Sequence, residues 1–308
     1  MYDVIVIGAG TAGMSSALYS ARGGMHTLVL EKQSYGGQIV VSPEVENYPG
    51  IAKTSGFAFA QGLYEQMLQL GVEYKSEGVT EVVLQKKGFL VTTEERQYEA
   101  KSVIVATGLT KRKLQLPLEE TLTGHGISYC ATCDGAFFRK KQVGVNGGGN
   151  TALEDALFLS QYCEKVFLIH RREEFRGEQF LVEQLKQCKN VEFLMPYKVV
   201  ELAGTQQLKG IVLEQTVTGE KSSLQLDGLF VAIGQIPENQ IVAGLVELDE
   251  GGYIVAGEDT VTSVAGLYAA GDCRTKEVRQ LTTAAADGAI AGVHAIRYVK
   301  ELDYSYIE

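Results

Sequence analysis

The sequence has 308 residues, of which 45% are hydrophobic and 21% charged, enough apolar material for about two packed domains. A net charge of −10 argues against nucleic acid as a main partner, because neutralising phosphates needs a basic surface. Glycine is abundant at 35 residues without a Gly-X-Y period, which points to tight turns and close backbone approach to ligands.

In chain order, Val4–Ile7 reads as a buried strand. It runs into Gly8-Ala9-Gly10-Thr11-Ala12-Gly13, a helix-like run through Ala21, and a second strand, Thr27–Leu30, that ends at Glu31. In such a turn the first glycine permits the tight bend and the second lets the backbone approach a pyrophosphate. The third must be small so that helix packs on strand. The free N–H groups at the helix start then face the phosphates. Val103-Ile104-Val105-Ala106 is another buried run, ending in Thr107-Gly108. The same strand-turn-helix-strand plan returns at Gln142–Val145, Gly147-Gly148-Gly149-Asn150-Thr151-Ala152, a helix through Leu159, and Lys165–Ile169. The step from Gly147 to His170 equals that from Gly8 to Glu31. One glycine motif is weak evidence; two with matched flanks and spacing are strong.

The copies differ at the position that meets the cofactor ribose. Glu31 accepts hydrogen bonds from ribose hydroxyls and repels a 2′-phosphate, so the first site suits FAD or NAD. The second closes on His170-Arg171-Arg172, with Arg176 following, and guanidinium groups suit a 2′-phosphate, hence NADP. Asn146 places a polar group at a buried strand end, where it needs a partner. Later, Leu229–Ile233 repeats the buried-run pattern up to Gly234, and Gly266–Asp272 forms a strand ending in Gly271-Asp272. Arg279-Gln280-Leu281 then leads into an alanine-rich helix over 282–298.

This order describes an α/β protein of two Rossmann-like, three-layer dinucleotide-binding domains, the second inserted into the first. Residues 1–115 and 245–308 form the first domain and 116–244 the second. The linkers are expected near Pro117 and Ile236-Pro237-Glu238-Asn239. No apolar run approaches the ~18 residues of a membrane span, and the first residues enter a strand without a basic leader, so a reducing cytoplasm is expected.

Five cysteines occur, with one close pair, Cys130-Ala131-Thr132-Cys133, followed by Asp134. Two intervening residues allow a small disulfide ring, and such motifs raise the thiolate fraction of one cysteine. Asp134 is placed to exchange the proton. A zinc site needs two more ligands at suitable spacing, and His125 and His170 lie outside it, so no metal is expected. Two inert buried thiols are the remaining alternative. Cys163, Cys188 and Cys273 read as core or surface cysteines.

Together these motifs closely resemble the low-molecular-weight thioredoxin reductases, over essentially the whole chain. The markers are the first glycine turn, Gly36-Gly37-Gln38, Glu46-Asn47-Tyr48-Pro49-Gly50, Thr107-Gly108, the cysteine motif with Asp134, the second turn, His170-Arg171-Arg172 with Arg176, Gly271-Asp272 and Arg279-Gln280-Leu281. The resemblance implies a homodimer that binds FAD in the first domain and NADPH in the inserted one and reduces thioredoxin. It implies that Cys133 faces the flavin, that Cys130 attacks the thioredoxin disulfide and that Asp134 handles the proton. FAD contacts are implied at Gly8, Gly10, Thr11, Ala12, Gly13, Glu31, Lys32, Gly37, Gln38, Asn47, Thr107, Gly108, Gly271, Asp272, Arg279, Gln280 and Leu281. NADPH contacts are implied at Gly147, Gly149, Asn150, Thr151, His170, Arg171, Arg172, Arg176 and Gly234. Phe137 is placed to receive thioredoxin or to pack in the core. Competing readings are a ferredoxin-driven relative, which would lack the arginines, a ferredoxin–NADP reductase, which would lack the cysteines, and a flavin dithiol oxidase. A peroxidase-system reductase would carry further N-terminal domains. A flavin-binding redox sensor would leave the second nucleotide site unexplained.

Overall fold

The structure is a computed structural model that describes residues 1–305. The chain divides into two compact units, residues 1–110 with 236–308 and residues 111–235.

The first unit begins with β1 (Tyr2–Ile7), α1 (Thr11–Arg22) and β2 (Thr27–Leu30), followed by α2 (Gly56–Gln69), β3 (Glu73–Lys75), β4 (Val79–Leu84), β5 (Phe89–Thr93) and β6 (Gln97–Val105). β7 (Leu109–Lys111) carries the chain out. The second unit contains α3 (Glu119–Leu122), β8 (Ile127–Ser128), α4 (Ala131–Asp134), β9 (Gln142–Gly147), α5 (Asn150–Ser160), β10 (Lys165–Ile169), α6 (Gln179–Gln187) and β11 (Val191–Leu194). It continues through β12 (Tyr197–Gly204), β13 (Leu208–Gln215), β14 (Lys221–Gln225) and β15 (Gly228–Ala232). β16 (Gln235–Pro237) pairs with β7 and returns the chain to the first unit, which ends with β17 (Leu267–Ala269) and α7 (Leu281–Ser305).

The first unit's sheet has the order β3-β2-β1-β6-β5-β4, with β17 also on β6. β6 is long enough to hold two partners besides β1. Residues 97–100 pair antiparallel with β5, and Val103–Val105 pair parallel with β17. Both faces are buried at β1, β2, β17 and the end of β6, which is why those strands read as continuous apolar runs, whereas β5 alternates. Val4, Val6 and Ile104 face a layer that includes Met14, Ala291 and Val299 of α1 and α7. Ile5, Ile7 and Val103 face Phe89, Val91, Val242 and Ile254. Gly288 lets α7 lie directly on α1, since a Cβ there would stand 2.1 Å from Ala12 O. The helix expected over 282–298 is longer, Leu281–Ser305. Its alanine-rich pattern marks only the part that packs on α1.

The second unit has a parallel sheet of order β11-β10-β9-β15-β8 and an antiparallel meander β12-β13-β14. Val143, Val145 and Phe230 pack beneath Ala152, Leu153 and Ala156 of α5 and Leu185 of α6. Phe167, Ile169 and Leu229 pack against Leu202, Ile211 and Leu213 of the meander. Each unit is therefore three layers deep, helices and strands covering the two faces of a parallel sheet.

One charged cluster is buried in the first unit. Arg274 and Asp287 have side chains 1% and 3% exposed and share two hydrogen bonds of 2.8 Å, while Lys276 Nζ donates to the same carboxylate at 2.9 Å. Removing one partner from such a cluster leaves charge buried and unpaired. Asp287→Ala should cost about 3–5 kcal/mol of stability. Urea unfolding checks this, and a loss below about 1 kcal/mol would show that water already solvates the two cations.

Candidate active site

Each unit ends its first strand in a glycine turn that delivers a helix N-terminus. In the first unit, Gly13 must be glycine because a Cβ there would lie 1.8 Å from Gly8 O. Gly10 is the N-cap of α1, and no side chain caps that helix. Its first amides are left for another acceptor. Gly36 N–H donates to Ala9 O at 2.7 Å, which brings the Gly36-Gly37-Gln38 segment onto the turn. Gln38 Nε2 donates to Leu109 O at 2.8 Å, and Asn47 Nδ2 to Gln280 Oε1 at 3.2 Å.

Glu31 holds the turn itself. Its two carboxylate oxygens accept from Ala9 N–H at 2.8 Å and from Gln33 N–H at 2.9 Å. Its neighbour Lys32 is ion-paired with Glu238. Thr107 Oγ1 donates to Asn239 Oδ1 at 3.1 Å, and Asn239 in turn donates to the carbonyls of Gly252 and Cys273. The Gly271-Asp272 turn is set by Gly271 N–H donating to Asp287 Oδ2 at 2.9 Å. Burial raises the Asp272 carboxyl above its ordinary range, and its Oδ1 is buried without a hydrogen-bond partner. Arg279 lies over the Tyr253 ring at 4.5 Å. The sequence reading missed Asn239 and Asp287. Asp287 had a signal, a lone acid in an alanine-rich helix; Asn239 had none beyond its place in an expected linker.

In the second unit, Gly147, Gly148, Gly149, Thr151, His170, Arg171, Arg176 and Gly234 line one cavity of about 320 Å³, together with Asn146, Asp155 and Lys111. Arg172 is not among the lining residues. The loop after β10 folds back over the turn, with Arg176 N–H donating to Gly148 O at 2.8 Å and Gly177 N–H to the same oxygen at 3.1 Å. Asn150 fastens that loop. Its Oδ1 accepts from Glu178 N–H at 2.7 Å and its Nδ2 donates to Glu178 Oε1 at 3.0 Å. None of the three guanidinium groups forms an ion pair among the described residues. His170 differs from them in kind. Burial, and then the charges of Arg176, Arg172 and Arg171, lower its pKa, so the ring is neutral near pH 7. The ring stacks on Phe175 at 5.5 Å, and its Nε2 is buried without a partner.

The cysteines lie in the same unit. Cys130 and Cys133 form a disulfide across the ends of α4, with Cα atoms 5.3 Å apart. Asp134 Oδ2 accepts a 2.6 Å hydrogen bond from Ser128 Oγ. Lys111 Nζ donates to Tyr129 O at 2.8 Å, and Tyr129 donates its phenol proton to the buried Glu119 at 2.5 Å. Glu119 also accepts from the N–H groups of Leu114 and Gln115. The segment before the cysteines is thus pinned at consecutive residues. Phe137 is 74% exposed, which excludes the core-packing reading of that residue, whereas its neighbour Phe138 is packed in the core. Cys163 and Cys273 are buried free thiols. Among the described residues no group of three or more His, Cys, Asp and Glu is placed to hold a metal ion.

Two glycine turns on separate parallel sheets, one with an arginine-lined cavity and a Cys-X-X-Cys disulfide in the same unit, define a nucleotide-dependent disulfide oxidoreductase. Residues 2–288 match the pyridine nucleotide-disulphide oxidoreductase family, and the chain belongs to it. A thioredoxin reductase of Listeria monocytogenes is 41% identical over 306 residues, covering 99% of this chain and 96% of that protein. One of Bacillus subtilis is 39% identical over 303 residues, covering 98% and 96%. Among solved structures, a thioredoxin reductase of Lactococcus lactis superposes with a TM-score of 0.88 at 37% identity, covering 98% of this chain and 100% of that one.

Asp155 supplies a pH-dependent test of the second unit. Burial pushes its carboxyl up to about 6, against the opposing pull of Lys111. A carboxyl whose folded pKa lies above its unfolded value binds its proton more tightly when folded. Stability is therefore lost as pH rises from about 4 through about 6. Asp155→Asn should flatten that part of the stability–pH curve, read by thermal unfolding across the same range. An unchanged slope would mean that the carboxyl is solvated in the folded state.

Proposed function

We propose that the protein is a thioredoxin-disulfide reductase that passes an electron pair from NADPH through FAD and the Cys130–Cys133 disulfide to oxidised thioredoxin. The observation that carries this reading is the disulfide in the unit that also holds the arginine-lined cavity.

FAD fits the first unit. The uncapped start of α1 presents amides to a pyrophosphate, Gly10 leaves open space beside them, and the unpartnered Asp272 Oδ1 and Thr11 Oγ1 suit polyol or phosphate groups. NADPH fits the second. The start of α5 is likewise uncapped, His170 Nε2 offers a buried polar contact, and Arg171 and Arg176 supply unpaired positive charge for a 2′-phosphate. Bound FAD supplies the step from a hydride donor to a disulfide acceptor.

The chain's own residues then act in sequence. Reduction opens the Cys130–Cys133 bond, leaving two thiols. Cys130 Sγ, as thiolate, bonds to one thioredoxin sulfur, and the other leaves and takes a proton. Cys133 Sγ then attacks Cys130 Sγ, which recloses the enzyme disulfide and releases the second thioredoxin sulfur to take another proton. Asp134 carries protons between these sulfurs and water. Phe137 offers thioredoxin an exposed apolar contact. A homodimer would find a surface at a cavity of about 620 Å³ in the first unit, lined by Leu18, Tyr19, Phe59 and Leu63 together with Ser15 and Gln66. No helix among the described residues is long and apolar enough to cross a membrane, and reduced pyridine nucleotide as donor supports a cytoplasmic site of action.

Anaerobic stopped-flow on the flavin-loaded protein tests the relay. NADPH should bleach the flavin band and oxidised thioredoxin restore it, whereas in Cys130→Ser bleaching persists and restoration is lost. Bleaching by reduced ferredoxin but not by NADPH would overturn the donor, and restoration in Cys130→Ser would overturn the relay. The arginines separate in a second experiment. Arg171→Ala with Arg176→Ala should cut the NADPH-over-NADH ratio of kcat/KM by about a hundredfold or more. Arg172→Ala alone should change it by less than about threefold, as a charge off the cavity wall. Equal losses from all three would place the phosphate elsewhere.

A further inference from the structure

The proton-handling carboxyl is held by a residue outside the cysteine motif. Ser128 closes β8, and its residue is only 4% exposed. β8 is short, but parallel pairing with β15 at Leu229↔Ile127 and Phe230↔Ser128 holds it in register. From there the Ser128 hydroxyl makes three contacts. Its oxygen accepts the Cys130 N–H at 3.0 Å, and it lies 2.6 Å from Asp134 Oδ2 and 3.2 Å from Cys130 O. A hydroxyl has one proton to give. The shorter contact, to a carboxylate, takes it.

One side chain therefore ties the backbone of the first cysteine to the acid beside the second. The link is reinforced by Asp134 N–H donating to Cys130 O at 3.2 Å. With Oδ2 engaged, Oδ1 is the carboxylate oxygen left to meet a sulfur. A freely rotating carboxyl would present either oxygen, or neither, at the distance proton transfer needs.

We propose that Ser128 is a positioning residue for thioredoxin reduction, fixing Asp134 so that one oxygen addresses the cysteine pair. This rests on the thioredoxin reductase reading and deepens it. The bland alternative is that Ser128 only satisfies the Cys130 N–H and shapes the turn. The two differ in what removal of the hydroxyl does to the pH profile and to a protein that already lacks the carboxylate.

The test uses the flavin-loaded enzyme and thioredoxin-dependent NADPH oxidation across pH. Wild type is compared with Ser128→Ala, Ser128→Thr, Asp134→Asn and the Ser128→Ala/Asp134→Asn pair. Alanine fits the space of serine, and threonine keeps the hydroxyl. In Ser128→Ala the carboxylate is no longer oriented, so kcat/KM should fall about tenfold at pH 7 and its pH profile should change shape. Ser128→Thr should recover to within about threefold. In the Asp134→Asn background the alanine change should cost less than about twofold, because the two residues act as one unit. His125 and Lys141 share the cavity of about 220 Å³ that Ser128 and Asp134 line, so His125→Gln is included, and there the profile should keep its wild-type shape. A Ser128→Ala profile that superposes on wild type overturns the proposal. So does an equal loss from Ser128→Ala with and without the Asp134 carboxylate, or a profile that changes in the same way in His125→Gln. If wild type itself fails to reduce thioredoxin, the underlying reading falls instead.

Discussion

The parallel strands at the centre of each sheet are buried on both faces, and this constraint decides where the polar sites lie. A strand covered above and below has nowhere to place a functional group except beyond its ends. β1 and β9 each leave their sheet through glycines and enter a helix whose first amides have no side-chain cap. Uncapped amides at the carboxyl end of a parallel sheet are the usual place for a phosphate-bearing ligand. The sites follow from the layering. The apolar cores on either face supply the rigidity that keeps those amides in position.

Around these ends the protein uses polar side chains as fasteners. Glu31 holds the first turn through Ala9 N–H, and Asp287 holds the Gly271-Asp272 turn while pairing with Arg274 and Lys276. Asn150 and Glu178 clasp the loop that carries the arginines. Glu119 anchors Tyr129 just before the disulfide. In each case a carboxylate or carboxamide satisfies backbone N–H groups that the turn leaves unpaired. Buried polar groups of this kind tolerate little loss, because a broken partner leaves the other desolvated.

Much of this was legible in the residues. Both glycine turns, the strands that feed them and the cysteine pair stand in the sequence as local patterns. The structure places Val4–Ile7 and Gln142–Val145 within β1 and β9. The chain passes between its two compact units at 110/111 and 235/236. Local pattern could not rank the arginines. His170-Arg171-Arg172 reads as one basic run, yet Arg171 and Arg176 line the cavity, Arg172 does not, and His170 is buried and neutral. The backbone after β10 turns residue by residue, and only the fold over Gly148 decides which side chains face inward. Asn239 was missed for a related reason. Its partner Thr107 lies 132 positions away in the chain.

What the sequence by itself determined is the chemistry that is local. Two intervening residues bring Cys130 and Cys133 within disulfide reach, glycines at set spacing force a tight strand-to-helix turn, and Arg171 and Arg172 put positive charge at the end of β10. Those properties depend on bond geometry and charge over a few residues, so they survive without knowledge of the fold. What only the tertiary structure decided is how the groups are held. Ser128 reaches Asp134 because β8 is paired to β15, whose residues lie about a hundred positions away in the chain. Orientation at hydrogen-bond resolution comes from packing between distant segments, and no local pattern records it.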